Sequence, residues 1–465
     1  MTDEATQPRV PSTGEVKSEG DRSVAYEDFD HERPATAATS EPELHRSHDP
    51  YSAFRFFPYR AYAIGNFGSV IGRQMLSVAV EWETYQRTHS AAALGFVGLV
   101  LALPTILFAL PAGHAADRFS RKHILVVSQA LTALTSLGLT LLSFFNGDIR
   151  WFYAVLFVSG SSRAFGWAAR SAFMTNLVPP EHLNNAVTWE SSMLQTASMI
   201  GPAAAGLMLV KLGFPFVYAF NTLTAVLFFI LLLRIPARQS APHQKARAAG
   251  LKELFSGFRF VWKTTPVLAT ITLDLFAVLL GGATALLPIY ADSILHVGAF
   301  GLGWMRSAPA IGAVLMSLAL AHLPPMRRPG KALLWAVVGF GLATVVFGLS
   351  RWFWLSVLAL ALTGALDNIS VVVRHTLVQL LTPDAMRGRV SAVNNVFSGS
   401  SNQLGAFESG MTAAWFGPVA SVVSGGAATI VVVLAIIALW PGITRLGSFA
   451  SMDPEEFAEG ECPAG

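Results

Sequence analysis

An all-α integral membrane protein is the fold class this sequence predicts, with twelve transmembrane helices in two pseudo-symmetric six-helix bundles. Three observations carry that expectation. The 465 residues are 53% hydrophobic and only 13% charged, with a mean hydropathy of +0.50, whereas a soluble domain is about 25% charged. Apolar runs long enough to cross a hydrocarbon core, which takes about 20 helical residues, recur along the chain. The second half of the sequence also echoes the first at a nearly constant offset.

Residues 1–55 read as a disordered acidic tail, polar and without an apolar period. Residues 1–50 carry twelve acids and five bases (5 − 12 = −7), so the net +3 of the whole chain leaves about +10 for the rest. The tail has no apolar core of a signal peptide. Its spaced His31, His45 and His48 are not expected to hold a metal.

Residues 56–235 are expected to form the first bundle, with spans near 59–81, 91–112, 122–145, 151–175, 184–210 and 215–234. Residues 236–265 read as a cytoplasmic linker. In it Leu251, Leu254, Phe255, Phe258, Val261 and Trp262 share one helical face, and Lys252, Glu253, Arg259 and Lys263 take the other. That pattern predicts an amphipathic helix lying on the inner leaflet. Residues 266–441 form the second bundle, with spans near 266–290, 301–321, 331–350, 352–375, 389–414 and 418–440, and 442–465 a cytoplasmic C-terminal tail. The sole cysteine, Cys462, lies in that tail, so neither an internal disulfide nor a thiolate metal cage is expected.

Basic residues in short loops set the orientation. With the N-terminus inside, the inner loops hold Arg118, Arg121, Lys122, Arg234, Arg238, Lys245, Arg247, Lys252, Arg259, Lys263, Arg327, Arg328, Lys331, Arg387 and Arg389. The outer loops hold only Arg87, Arg150, Lys211 and Arg351. Both termini are therefore expected in the cytoplasm, with the protein spanning the cell membrane many times. The repeat appears in two places. Val178–Val187 aligns with Leu381–Val390 (381 − 178 = 203), and Gly98 and Pro104 align with Gly303 and Pro309 (303 − 98 = 205). Parallel six-span repeats place a cavity at their interface near the midplane.

A G-x-x-x-D-R-x-x-R-K pattern runs from Gly113 to Lys122, between the second and third spans. Gly113 lets another helix approach closely. Asp117 is an anion among cations, able to face a helix N-terminus or to pair with an arginine. Gly201-Pro-Ala-Ala-Ala-Gly206 puts small residues and a bend into the fifth span.

These stretches resemble the major facilitator superfamily, whose loop between the second and third helices carries the first pattern. Ala102–Arg118, Ala285–Asp292 and Thr376–Val390 resemble the subgroup that holds the enterobactin exporter and related siderophore and macrolide effluxers. The resemblance covers about residues 54–440. It implies the twelve-helix facilitator fold and proton-driven export of a small organic molecule. It implies that Asp117 latches the outward-facing state against the start of the eleventh helix and an arginine low in the fourth, here Arg170. Gly113, Arg118 and Arg121 belong to the same latch. Gly201, Pro202 and Gly206 match the family's antiporter motif G-P-x-x-G-G, with Ala205 where the first paired glycine would stand.

Several ionisable residues fall inside the expected spans: Arg73, Glu81, Arg163, Glu190, Asp274, Arg306, Asp367 and Glu408. Each costs about 2.5–3.5 kcal/mol at a helix centre on insertion scales, so each is expected to face a partner or a cavity. Arg73, Arg163, Asp274 and Asp367 lie nearest the midplane, with arginines in the first half and aspartates in the second. They read either as salt bridges joining the halves or as a transport site. In the second case Asp274, Asp367 and Glu81 would carry protons, and Arg73 and Arg163 would receive an anionic substrate group. Asn66, Gln195 and Asn395 would hydrogen-bond the substrate, with Asn368, Asn394, Asn402 and Gln403 on the same helices. Glu190 and Glu408 read equally well as gate residues.

No phosphate-cradling loop, H-E-x-x-H or G-x-S-x-G is present. The sequence is therefore read as that of a transporter, not an enzyme, with a small-molecule substrate, protons and the lipid bilayer as its partners. No cofactor, metal or nucleic acid is expected, and a monomer is. Three alternatives stay open: a multidrug effluxer of amphipathic cations using Asp274 and Asp367, a metabolite importer by proton symport, and a transporter-like receptor that signals through its tail.

Overall fold

The computed structural model describes residues 49–236, 258–262, 264–324 and 326–445. Among them the secondary structure is helical throughout. The first half holds α1 (Phe57–Thr88), α2 (Ala91–Arg118), α3 (Arg121–Phe144), α4 (Ile149–Met174), α5 (Leu183–Leu212) and α6 (Phe214–Arg234). The second holds α7 (Thr265–Leu280), α8 (Gly298–His322), α9 (Pro329–Leu349), α10 (Phe353–Leu381), α11 (Asp384–Phe416) and α12 (Pro418–Leu439). Beyond α7 the chain continues through 3-10 and π turns to Ile294. The break falls at Gly281–Gly282, where a Cβ on Gly282 would lie 2.7 Å from the Gly405 carbonyl oxygen of α11.

Local signals place the helix ends. Ser90 caps α2 by accepting from Ala93 N, and Asp148 caps α4 by accepting from Arg150 N at 2.9 Å. Gly213 (φ +88) joins α5 to α6 and Gly417 (φ +89) joins α11 to α12. Both turns need a left-handed residue, which glycine supplies without strain.

Packing repeats between the halves. In the first, α1 packs on α5 and α6, α3 on α4 and α6, and α2 on α4. In the second, α7 packs on α11 and α12, α9 on α10 and α12, and α8 on α10. The two largest contacts between the halves are α2 with α11 and α5 with α8, and these also exchange under the repeat.

Among the described residues, nine helical segments are long and apolar enough to cross a membrane by length and composition alone. α1, α4 and α11 are not among them. These are helices that carry charges along their length: Arg73, Glu81 and Glu83 in α1, Arg163 and Arg170 in α4, Glu408 in α11.

The helices overrun the expected spans. α10 reaches Leu381, so Arg374, at the edge of the span expected over 352–375, is buried inside a helix. Of the expected amphipathic linker helix, Leu251, Leu254, Phe255 and Lys263 lie outside the described residues. Within the helical stretch 258–262, Phe258 and Trp262 are exposed but Val261 enters the core of the second half. The acidic tail and Cys462 also lie outside the described residues.

Lys122, expected as a positive anchor, has a structural partner. Its Nζ donates to Leu233 O at 3.2 Å and Ile235 O at 2.6 Å, capping the C-terminal end of α6 where the dipole favours a cation. Lys122→Met is expected to cost about 1 kcal/mol and to lower the midpoint of thermal unfolding by a few degrees. An unchanged midpoint would show that water caps those carbonyls as well.

Candidate functional site

The packed cores lie toward the two ends of the helices. At the end holding the α1–α2 and α5–α6 turns, one core draws on both halves. It includes Val78, Tyr85, Leu94 and Leu209 from the first and Leu286, Tyr290, Leu302 and Ala413 from the second. At the other end each half keeps its own core, one around Tyr62 and Phe228, the other around Leu273 and Leu377. The halves are thus sealed at one end and separate at the other.

Glycines make the seal. A Cβ on Gly98 would lie 2.8 Å from Gln403 O, and one on Gly303 would lie 2.7 Å from Pro202 O and 3.0 Å from Gly206 Cα. Gly206 therefore packs α5 on α8, whereas Gly201 packs on Gln74 of α1. Polar contacts also cross the seal. Arg306 bonds Glu81 at 3.0 Å and Thr284 O at 3.0 Å, Tyr85 Oη lies 2.8 Å from Ser293 Oγ, and Gln86 donates to Asp292 at 3.0 Å. Glu81, read from sequence as a proton carrier, is thus a member of this closed gate.

At the open end a Cβ on Gly113 or Gly388 would meet nothing within 4 Å. Gly113, expected at a close helix approach, faces open space in this conformation. Arg118, at the end of α2, is exposed. Arg121 opens α3, and its side chain has a partner. The side chains of Asp117 and Asn395 lie outside the described residues.

On the first-half wall, Tyr62 Oη donates to Glu190 at 3.1 Å and Arg73 donates to Ser69 at 2.8 Å. Arg73 feels the charges of both Arg163 and Arg170, and Glu190 feels that of Arg170. Arg163 and Gln195 are exposed although both sit mid-helix. Polar side chains there are expected to face the space between the halves, since lipid would penalise them. Asn66 is buried on the same face of α1, with Oδ1 unpartnered.

On the second-half wall, Asp274 of α7 forms an ion pair with Arg374 of α10 and accepts from Ser398 of α11 at 3.1 Å. All of Asp274 and Arg374 but a few per cent is buried. Asp367, two turns before Arg374, feels both charges. Of the two readings of these charges, a salt bridge from Asp274 to an arginine of the first half is not what forms. Asp274 is neutralised within its own half, because a partner was available one helix away.

Other expected residues have local roles. Asn368 donates to Ser317 at 3.0 Å, Asn402 to Ser398 O at 2.9 Å, and Glu408 accepts from Thr412 at 2.9 Å. Asn394 is buried with Oδ1 unpartnered.

Sequence reasoning missed two groups. Arg374 lay at the end of the expected span 352–375 and was left out of the charges read as membrane-embedded, although the next helix breaker is Pro383. Glu83 is 1% exposed and takes hydrogen bonds from Tyr218 at 2.7 Å and Ser143 at 2.9 Å, with Arg87 as its ion pair. The signal was the i,i+4 spacing of Glu83 and Arg87.

A family model described as Major Facilitator Superfamily matches residues 62–406. The enterobactin exporter EntS of Escherichia coli strain 536 is 26% identical over 403 residues, covering 86% of this chain and 95% of that protein. The protein of the same name from Citrobacter koseri is 28% identical over 390 residues, covering 83% and 92%. Among solved structures, a D-xylose-proton symporter superposes with a TM-score of 0.63 at 15% identity, over 82% of this chain and 97% of that one. A POT family transporter in complex with a thioalcohol-conjugated peptide gives 0.65 at 12%, over 83% and 96%.

Proposed function

The chain belongs to the major facilitator superfamily, and from that premise we propose that it exports a small organic molecule across the cell membrane in exchange for protons. A single observation carries this reading: a cleft with ionisable walls, sealed at one end by a core common to both halves and open at the other. That is the geometry alternating access requires. The basic loops lie at the open end, so the positive-inside rule places it in the cytoplasm. On this reading all twelve helices cross the bilayer, both termini are cytoplasmic, and the cleft faces inward to load cargo. Export rather than import follows the exporters named among the relatives.

Coupling is assigned to Asp274 and Asp367, two carboxylates around the one guanidinium of Arg374. A proton taken by one leaves the ion pair to the other, so protonation redistributes contacts between α7 and α10. In the opposite state, closing the cytoplasmic end would bring Gly113 and Asp117 to the start of α11, with Arg170 available from α4. Arg118 and Arg121 would flank that contact.

The test uses everted membrane vesicles made acid inside, with a pH-reporting dye and candidate cargoes added in turn. Export by antiport predicts proton release on cargo addition, lost in Asp274→Asn. Cargo-driven proton entry in the other direction would establish import, and neither movement from folded protein would favour a receptor.

A further inference from the structure

Among the described residues, the first-half wall holds more positive charge than its acids neutralise. Tyr62 and Phe173 pack with ring centroids 5.9 Å apart, fixing α1 against the antiparallel α4. Arg73 lies eleven residues beyond Tyr62, and Arg163 ten residues before Phe173. At 1.5 Å per residue these offsets are about 16 and 15 Å, so the two arginines share one depth. Arg170 sits about 10 Å nearer the open end, at the level of Tyr62 and Glu190.

Three arginines thus converge with one carboxylate. Glu190 offsets Arg170, but among the described residues no acid lies within ion-pair distance of Arg73 or Arg163. Arg73 has only the Ser69 hydroxyl, and Arg170 Nε is buried without a hydrogen bond. On the opposite wall, Asp274 already serves Arg374. Like charges brought together repel, and Arg163 is open to the cleft.

Resting on the transporter reading above, we infer that Arg73, Arg163 and Arg170 form the recognition site for an organic anion carrying two or more negative charges. The paired guanidiniums present forked donors to an acidic group, and Asn66 on the same face of α1 supplies a further polar contact. Glu190 sets the charge of the site. With Glu190 ionised the cluster is +2, and without it +3.

The experiment is equilibrium binding to the full chain in lipid nanodiscs without any gradient, using terephthalate (dianion), benzoate (monoanion) and benzyltrimethylammonium (cation). Terephthalate is expected to bind more tightly than benzoate and to weaken as salt rises, and the cation not to bind. Arg163→Gln is expected to weaken terephthalate binding at least tenfold. Glu190→Gln is expected to tighten it several-fold, which a scaffold role for Glu190 would not produce. Equal binding of all three probes, no binding, or weakening by both substitutions would each overturn the assignment. Cargo-driven proton movement in vesicles without anion binding would sink this inference and leave the transporter reading intact.

Discussion

Replacing Asp274 by alanine is expected to abolish transport and to destabilise the protein by about 3–5 kcal/mol, the usual cost of leaving one member of a buried ion pair alone. Arg374 would keep its charge in a site with no other described partner at ion-pair distance, and Ser398 would lose its acceptor. Arg374→Ala is expected to cost a similar amount. The double substitution Asp274→Leu with Arg374→Met separates the two roles. Apolar replacement of both members of a buried pair is often neutral or stabilising, so unfolding in detergent should return close to that of the parent. Transport should stay absent, because neither the proton site nor its counter-charge remains. Transport at the parental rate in the double variant would reduce the pair to scaffold and move coupling to Asp367 alone.

The second large effect is conformational. Gly303→Leu is expected to drive the population out of the state described here. Even its Cβ would stand 2.7 Å from Pro202 O and 3.0 Å from Gly206 Cα, and backbone on a packed helix cannot yield as a flexible side chain does. The substitution should therefore hold α5 and α8 apart at the sealed end while leaving each bundle's own core intact. The chain's one native cysteine, Cys462, is removed as Cys462→Ser, and Tyr85→Cys serves as reporter at a buried position of the seal. Labelling by a membrane-impermeant thiol reagent from outside the cell should rise at least tenfold when Gly303→Leu is added. An unchanged labelling rate would show that the seal does not depend on this glycine contact.

Much of the candidate site was legible residue by residue but not in its pairings. Arg73, Arg163, Asp274 and Asp367 stood out because ionised groups in apolar spans are costly wherever they point. That cost says nothing about which neighbour relieves it. Asp274 could have met an arginine across the cleft. It meets Arg374 instead, because α7 and α10 belong to one half and Arg374 lies about two turns inside a helix that runs on to Leu381. Glu81 was conspicuous for the same reason, yet its role as a gate depends on Arg306, which is 225 positions away in the chain.

The sequence by itself determined the helical, membrane-embedded class and the repeat. These properties are written into local composition, into the length of apolar runs and into residues such as Gly213 and Gly417 that impose a turn. The tertiary structure alone decided which end of the cleft is sealed. The seal is made by long-range contacts such as Gly206 with Gly303 and Glu81 with Arg306. Spacing along the chain does not encode those contacts. It likewise took the fold to show that Asp274 is occupied by Arg374 of its own half.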